Sequence, residues 1–184
     1  MDLTDAGWQV TVLERRPFPG GRTFSFTTAE GDVLDNGQHV FLGCCTAYLQ
    51  LLARLGQADK AFLQDRLDVR IIDAEDGPAR LRAAPLPAPL HLLPSFLAFP
   101  YLSTIEKARA GQALLAMRVR DLPEDRTFAD WLRQRRQTEN AIRRLWDLIV
   151  IPTCNAPAER VSARQAGFVF REGLLRTTWG GRLG

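Results

Sequence analysis

Lysine is almost missing: of 24 basic residues in the 184-residue chain only Lys60 and Lys107 are lysines, and the rest are arginines. Against 21 acidic residues this leaves a formal net charge of +3. So small an excess does not form the concentrated basic stripe of a nucleic-acid-binding protein, and no nucleic-acid partner is expected. Cysteine is equally scarce. Cys44, Cys45 and Cys154 make neither a disulfide framework nor a metal-ligand spacing. They read as reduced thiols of a cytoplasmic protein, and no metal is expected. The start, Met1-Asp2-Leu3-Thr4-Asp5, lacks the basic and apolar regions of a signal peptide. The uncharged run from Ala83 to Ile105 carries Pro85, Pro87, Pro89, Pro94 and Pro100, which excludes a regular membrane-spanning helix. With 14 Gly, 11 Pro and 46% apolar residues, whole-chain disorder is excluded as well. The length suits one large or two small domains.

The pattern along the chain divides near Gly56. Ala6-Gly7 reads as a helix end with its capping glycine, and Trp8 to Leu13 as a buried strand carrying Val10, Val12 and Leu13. A second strand is expected from Thr23 to Thr28, then a turn at Ala29-Glu30-Gly31-Asp32. Thr46 is the expected N-cap of a helix with Tyr48, Leu51, Leu52 and Leu55 on one face, closed by Gly56. Beyond it, Val69–Asp73 and Ala79–Ala83 predict a hairpin. Ser103-Thr104-Ile105-Glu106 has capping-box spacing and opens a helix to about Arg120. Further helices are expected after Thr127, along Ile142-Leu145-Trp146-Ile149 to a stop near Pro152, and from Ser162 to about Glu172. The fold class is therefore α/β. Residues 1–56 read as a partial Rossmann-like dinucleotide-binding domain, and residues 57–184 as a helix-rich α+β substrate domain.

The segment Glu14 to Arg22, ERRPFPGGR, carries the chemistry. An acidic residue at the end of the second strand of a dinucleotide fold accepts hydrogen bonds from ribose hydroxyls. Gly20-Gly21 lets backbone N–H groups approach a phosphate, and Arg22, eight residues on from Glu14, can neutralise it. The blander alternative is a strand end, a glycine turn and a solvated arginine.

The stretch VTVLERRPFPGGR resembles the second half of the flavin-binding signature of the amine oxidase and phytoene desaturase superfamily. Leu34-Asp35-Asn36-Gly37-Gln38-His39-Val40-Phe41 resembles that superfamily's next element. The Asp-Asn-Gly-Gln-His form is similar to a narrower group, the squalene-associated FAD-dependent desaturases known as hydroxysqualene dehydroxylases. LPAPLHLLP, TFADWL and PTCNAPAERVSA agree with it. The resemblance implies FAD as cofactor and a hydrophobic isoprenoid as substrate. It implies Glu14 at the adenosine ribose, and Arg16 near the adenine. Gly20, Gly21 and Arg22 would lie at the pyrophosphate and ribityl chain, with Gly37, Gln38 and His39 near the flavin ring. For His39 a capped turn or a buried imidazole is an equal alternative, and His91, among prolines and leucines, reads as structural.

The family begins with a strand and a Gly-x-Gly-x-x-Gly loop that this chain does not show, and it continues past residue 184. The chain taken alone is therefore expected to be catalytically silent and to retain flavin weakly or not at all. No carboxylate pair or His–acid arrangement names a proton donor, so the catalytic residues are left unassigned. The expected activity is reductive dehydroxylation of hydroxysqualene to squalene. The alternatives are a phytoene-desaturase-like or amine-oxidase-like flavoenzyme, or a fragment without a competent flavin site. An NAD-binding protein is disfavoured by the Gly-Gly-Arg element. The leucine- and proline-rich stretch is either an interfacial or channel-lining segment, giving peripheral contact with the inner face of the cytoplasmic membrane, or a buried loop. The arginines between Arg133 and Arg144 could assist at an anionic surface or form a solvated helix face.

Overall fold

A computed structural model describes residues 1–37 and 40–184; Gln38 and His39 lie outside the described residues. Backbone contacts divide the chain into two units, Met1–Val40 and Phe41–Gly184.

The first unit starts with the short helix α1 (Asp2–Asp5). Gly7 closes it, with φ +83 and its N–H donating to the Thr4 carbonyl at 3.0 Å. Trp8–Leu13 was expected as a buried strand, and it is corrected here: the segment is exposed and forms neither strand nor helix. A strand exists only through a neighbour's hydrogen bonds, and no described residue supplies a ladder to this one. The next expected strand is present but short. β1 (Ser25–Thr27) pairs antiparallel with β2 (Val33–Asp35), with Phe26 opposite Leu34. Gly31, at φ +93, and a Thr28 N–H to Asp32 carbonyl bond of 2.8 Å close the turn.

The second unit opens with α2 (Thr46–Arg54). The cap position is Cys45 rather than the expected Thr46, and no side chain caps it. Gly56 lies beyond the helix at φ +65. β3 (Asp68–Asp73) and β4 (Gly77–Arg82) form the expected hairpin, with inward and outward residues alternating. The proline-rich stretch folds as a 3₁₀ turn at Leu90–Leu92 followed by α3 (Leu93–Ala98). α4 (Thr104–Val119) begins with a complete capping box. There the Ser103 hydroxyl accepts from the Glu106 N–H and the Glu106 carboxylate accepts from the Ser103 N–H.

α5 (Phe128–Gln134) is capped by Thr127, whose hydroxyl accepts from the Asp130 N–H at 3.1 Å. α6 (Glu139–Ala141) continues through a π-helical turn at Ile142–Trp146 into α7 (Asp147–Cys154). This helix ends two residues past Pro152, near the expected stop. It ends on Asn155, which is left-handed at φ 55 and donates its N–H to the Ile151 carbonyl. α8 (Ala163–Phe170) is capped by Ser162 and runs into a second π-helical turn, Arg171–Leu175.

These helices surround an aromatic core of Phe128, Trp131, Trp146 and Phe170, each 2% exposed or less. The Trp146 and Phe170 ring centroids lie 5.2 Å apart, edge to face. The Trp146 indole N–H donates to the Gln137 amide oxygen at 3.1 Å, so its polar edge is satisfied inside the core. Truncating one such ring costs about 3–5 kcal/mol.

The C-terminal glycines close the second unit. Phe41 and Gly184 exchange backbone hydrogen bonds, Leu42 bridges Leu183, and the Gly43 N–H donates to the Arg182 carbonyl at 2.8 Å. A Cβ on Gly181 would meet the Gly173 carbonyl oxygen at 2.9 Å. Helix and sheet thus coexist, as an α/β chain requires, and both described sheets are antiparallel pairs.

Candidate functional site

The sequence-predicted cofactor residues lie in the first unit, and all of those described are exposed. Pro17 and Pro19 stiffen the path from Glu14 to Gly21. Across this bend one Glu14 carboxylate oxygen accepts from the Arg16 N–H at 2.8 Å. The Arg16 guanidinium reaches five residues on and donates to the Gly21 carbonyl at 3.0 Å, over the Phe18 ring. Glu14, Arg16 and Gly21 are therefore brought together.

Gly20 and Gly21 both take the left-handed region, with φ +110 and +61. The Gly20 carbonyl accepts from the Thr23 N–H at 2.9 Å, and a Cβ on Gly20 would come within 2.6 Å of the Thr23 carbonyl oxygen. Only glycine makes this turn without strain. It holds backbone at the surface with no Cβ of its own, the property that close approach to a phosphate demands. Among the described residues no acid pairs with the Arg22 guanidinium, while its carbonyl accepts from the Asn36 side-chain amide at 3.1 Å.

Asn36 is the residue that sequence reasoning missed. Its backbone N–H donates to the Phe24 carbonyl at 2.9 Å and its side chain to Arg22, tying the two motif segments together. Asp35 adds a second tie by accepting from the Ser25 hydroxyl at 2.5 Å. The available signal was the Asp35-Asn36-Gly37 triplet itself, since Asn and Asp side chains readily bond nearby backbone. Gly37 follows at φ +113. The expectations for Gln38 and His39 fall outside the described residues.

The second unit has a different surface feature. An open groove of about 600 Å³ is lined by Asp121, Glu124, Cys154, Arg164, Phe168 and Arg171 among others. Its arginines are matched with acids, Arg171 to Asp121 at 2.6 Å and Arg164 to Glu124 at 2.7 Å. A lining of paired charges suits neither a free anion nor a hydrocarbon. Elsewhere His91 is 1% exposed, and burial pushes its imidazole below the usual value, as suits the structural role expected of it. Among the described residues no helix is long and apolar enough to cross a membrane.

A glycine turn followed by an arginine with no acid partner among the described residues, six residues after an acid with one committed oxygen, fits a dinucleotide cofactor. Residues 1–173 match the family of flavin-containing amine oxidoreductases. The chain belongs to that family. Membership implies FAD as the cofactor. The chain is 29% identical over 179 residues to the zeta-carotene desaturase of Zea mays, covering 89% of this chain and 31% of the relative. It is 28% identical over 191 residues to a probable zeta-carotene desaturase of Synechococcus elongatus, covering 96% of this chain and 40% of the relative. To the 15-cis-phytoene desaturase of the same organism it is 28% identical over 141 residues, 72% of this chain and 29% of the relative. The flavoprotein chain thus spans about a third of the length of these curated relatives. Relatives of this kind favour the desaturase-like alternative over hydroxysqualene dehydroxylation.

Proposed function

We propose that this chain serves in a FAD-dependent oxidoreductase of the carotenoid-desaturase type acting on a long apolar isoprenoid. In this reading residues 1–56 serve the cofactor and residues 57–184 the substrate. The observation that carries it is the turn at Gly20-Gly21 beside an unmatched Arg22, in a chain of the flavin-containing family.

Each residue has a defined task. The free carboxylate oxygen of Glu14 accepts from the hydroxyls of the adenosine ribose. Arg16, fixed on Gly21, walls the adenine side. Gly20 and Gly21 present backbone to the pyrophosphate, and Arg22 balances its charge. Gly37 lies on the flavin-ring side in this reading. When bound, FAD would supply two-electron redox chemistry. The chain's own part is to bind, orient and exclude water, and no side chain is assigned a proton-transfer role.

A second reading, reduction of hydroxysqualene to squalene, is favoured by a specific observation: the Asp35-Asn36-Gly37-Gln38-His39 form together with LPAPLHLLP. Product analysis separates the two. A flavin-loaded full-length protein that carries this chain is offered phytoene, zeta-carotene, hydroxysqualene and a primary amine in parallel. A lengthened polyene supports the desaturase reading, and squalene supports the second. Turnover of the amine alone overturns both.

A further inference from the structure

The arginine run from Arg133 to Arg144 divides once its partners are placed. Arg133 is matched to Asp130, Glu139 and Glu159, and Arg144 to Asp73, Glu75 and Asp76. Arg135 is matched to no carboxylate among the described residues. Its guanidinium lies on the indole of Trp131, with Cζ 3.8 Å from the ring centroid, and donates to the Trp131 carbonyl at 3.4 Å. Trp131 is 2% exposed and belongs to the core, so it holds this cation in one place.

Other arginines gather at the same end of α5. Arg126 arrives from the preceding loop and donates to the Gln134 side-chain oxygen at 2.6 Å. Its one acid contact among the described residues is Asp125, 79% exposed and 3.9 Å away, and its Nε is buried with no hydrogen-bond partner. Arg120, the residue that ends α4, has no partner among the described residues. Burial and the like charges of Arg120 and Arg126 push the Arg135 guanidinium below its ordinary range, and no acid offsets them. Arg109 adds a fourth cation by donating to the Arg136 carbonyl at 3.0 Å. Capping the helix does not require so many. The Leu132 carbonyl already accepts from the Arg135 and Gln137 N–H groups, and the Arg133 carbonyl from that of Arg136. Arg120 is exposed and Arg126 and Arg135 are half-buried, so the cluster opens to solvent. Like charges held together with no acid between them raise the free energy of the fold, and a bound anion removes that cost.

We infer that Arg120, Arg126 and Arg135, with Arg109 at the margin, form a binding site for a small soluble molecule that bears a phosphate or diphosphate group. Such a group spreads two or more negative charges over several oxygens, and a planar guanidinium donates to them in pairs. A carboxylate, with a single charge, leaves most of the cluster unbalanced. None of these arginines is among the residues assigned to FAD. The cluster belongs to the second unit, and the Glu14–Arg22 loop to the first. The inference stands whichever isoprenoid reaction the flavin serves.

The test is a calorimetric titration of inorganic diphosphate into a full-length protein that carries this chain, with FAD in excess so that the cofactor loop is filled. Saturable binding is expected. Arg120→Gln and Arg135→Gln are each expected to raise the Kd roughly tenfold or more. Arg70→Gln, which removes the same charge from the β3–β4 hairpin, is expected to leave it unchanged. Arg120→Gln is also expected to keep or slightly raise the melting temperature measured without diphosphate, since Arg120 has no partner to lose. Absence of saturable binding overturns the inference. So does an equal loss in Arg70→Gln, which would reduce the effect to net charge. Displacement of FAD by diphosphate to the same extent in every variant would put the binding in the cofactor loop and overturn it too. Flotation with phosphatidylglycerol vesicles that Arg120→Gln abolishes, with no response to diphosphate, would assign the cluster to a lipid surface instead.

Discussion

Arg144 Nη1 lies 3.1 Å from Asp73 Oδ2 and ties the turn of the β3–β4 hairpin to the π-helical segment of the core. The same guanidinium faces the Asp76 carboxylate, and its Nη2 reaches Glu75 at 3.4 Å. Its Cζ stands 5.7 Å from the Tyr101 ring centroid, and the Tyr101 hydroxyl donates to the Gly77 carbonyl at 2.5 Å. Nη1 makes close charge contacts here without a well-aligned hydrogen bond. Arg144 is only 15% exposed, and removing it leaves three carboxylates at one turn without their shared cation. Arg144→Ala is expected to lower stability by about 1–3 kcal/mol in urea unfolding. Arg144→Lys should recover only part of the loss, because a lysine cannot span several acceptors.

Helices and caps were the legible part of this sequence. Ser103-Thr104-Ile105-Glu106, Thr127 and Ser162 carry their own stop and start chemistry, and each caps a helix as expected. Trp8–Leu13 was not legible, because an apolar run becomes a strand only with a partner ladder that local pattern does not encode. The role of Gly180-Gly181-Arg182-Leu183-Gly184 was hidden for a related reason. Its glycines answer close approaches of the Glu172 and Gly173 carbonyls, from the helical turn before it, and of the Phe41 ring, far away in sequence. In the site, the spacing from Glu14 to Arg22 pointed to the cofactor loop. The tie through Asn36 depends on how two loops meet, which no spacing shows.

Two glycines give opposite expectations. A Cβ on Gly180 would collide with the Glu172 carbonyl, whereas one on Gly111, inside α4, meets nothing within 4 Å. Gly180→Ala is expected to cost about 1–3 kcal/mol. Gly111→Ala is expected to raise stability by about 0.5–1 kcal/mol, since the helix no longer orders a glycine. Thermal unfolding of the two variants beside the parent checks both signs.

Glu106 accepts from the Thr138 hydroxyl, the Ser103 backbone and hydroxyl, and the Asn140 amide. These donors outweigh the opposing effect of burial and hold its carboxyl at about 2, against an ordinary 4.5. The unfolded chain therefore takes up this proton first. The stabilisation is complete above about 4.5 and is lost as the pH falls toward 2. Glu106→Gln should lower stability near neutral pH by about 1–2 kcal/mol and flatten the acid limb of a plot of urea midpoint against pH.

His91 acts in a higher window. Burial lowers its pKa from the ordinary 6.5, so the unfolded chain again binds the proton more readily. Its contribution is present above 6.5 and lost as the pH falls through the lower folded value. His91→Leu is expected to remove the pH dependence just below neutrality and leave the Glu106 limb in place. A midpoint curve unchanged between the parent and His91→Leu would show that the imidazole does not titrate with folding.

The most direct measurement is a FAD titration, followed by flavin fluorescence, of a full-length parent protein that carries this chain and of its Glu14→Ala and Arg22→Ala variants at low salt. Each variant removes a charge-assisted contact to the cofactor, worth about 1.5–3 kcal/mol. The expected result is saturable binding by the parent and a Kd raised at least roughly tenfold in each variant, with unfolding curves unchanged. Identical isotherms for all three proteins, or no saturable binding by the parent, would contradict the assignment of the Glu14–Arg22 loop to the cofactor.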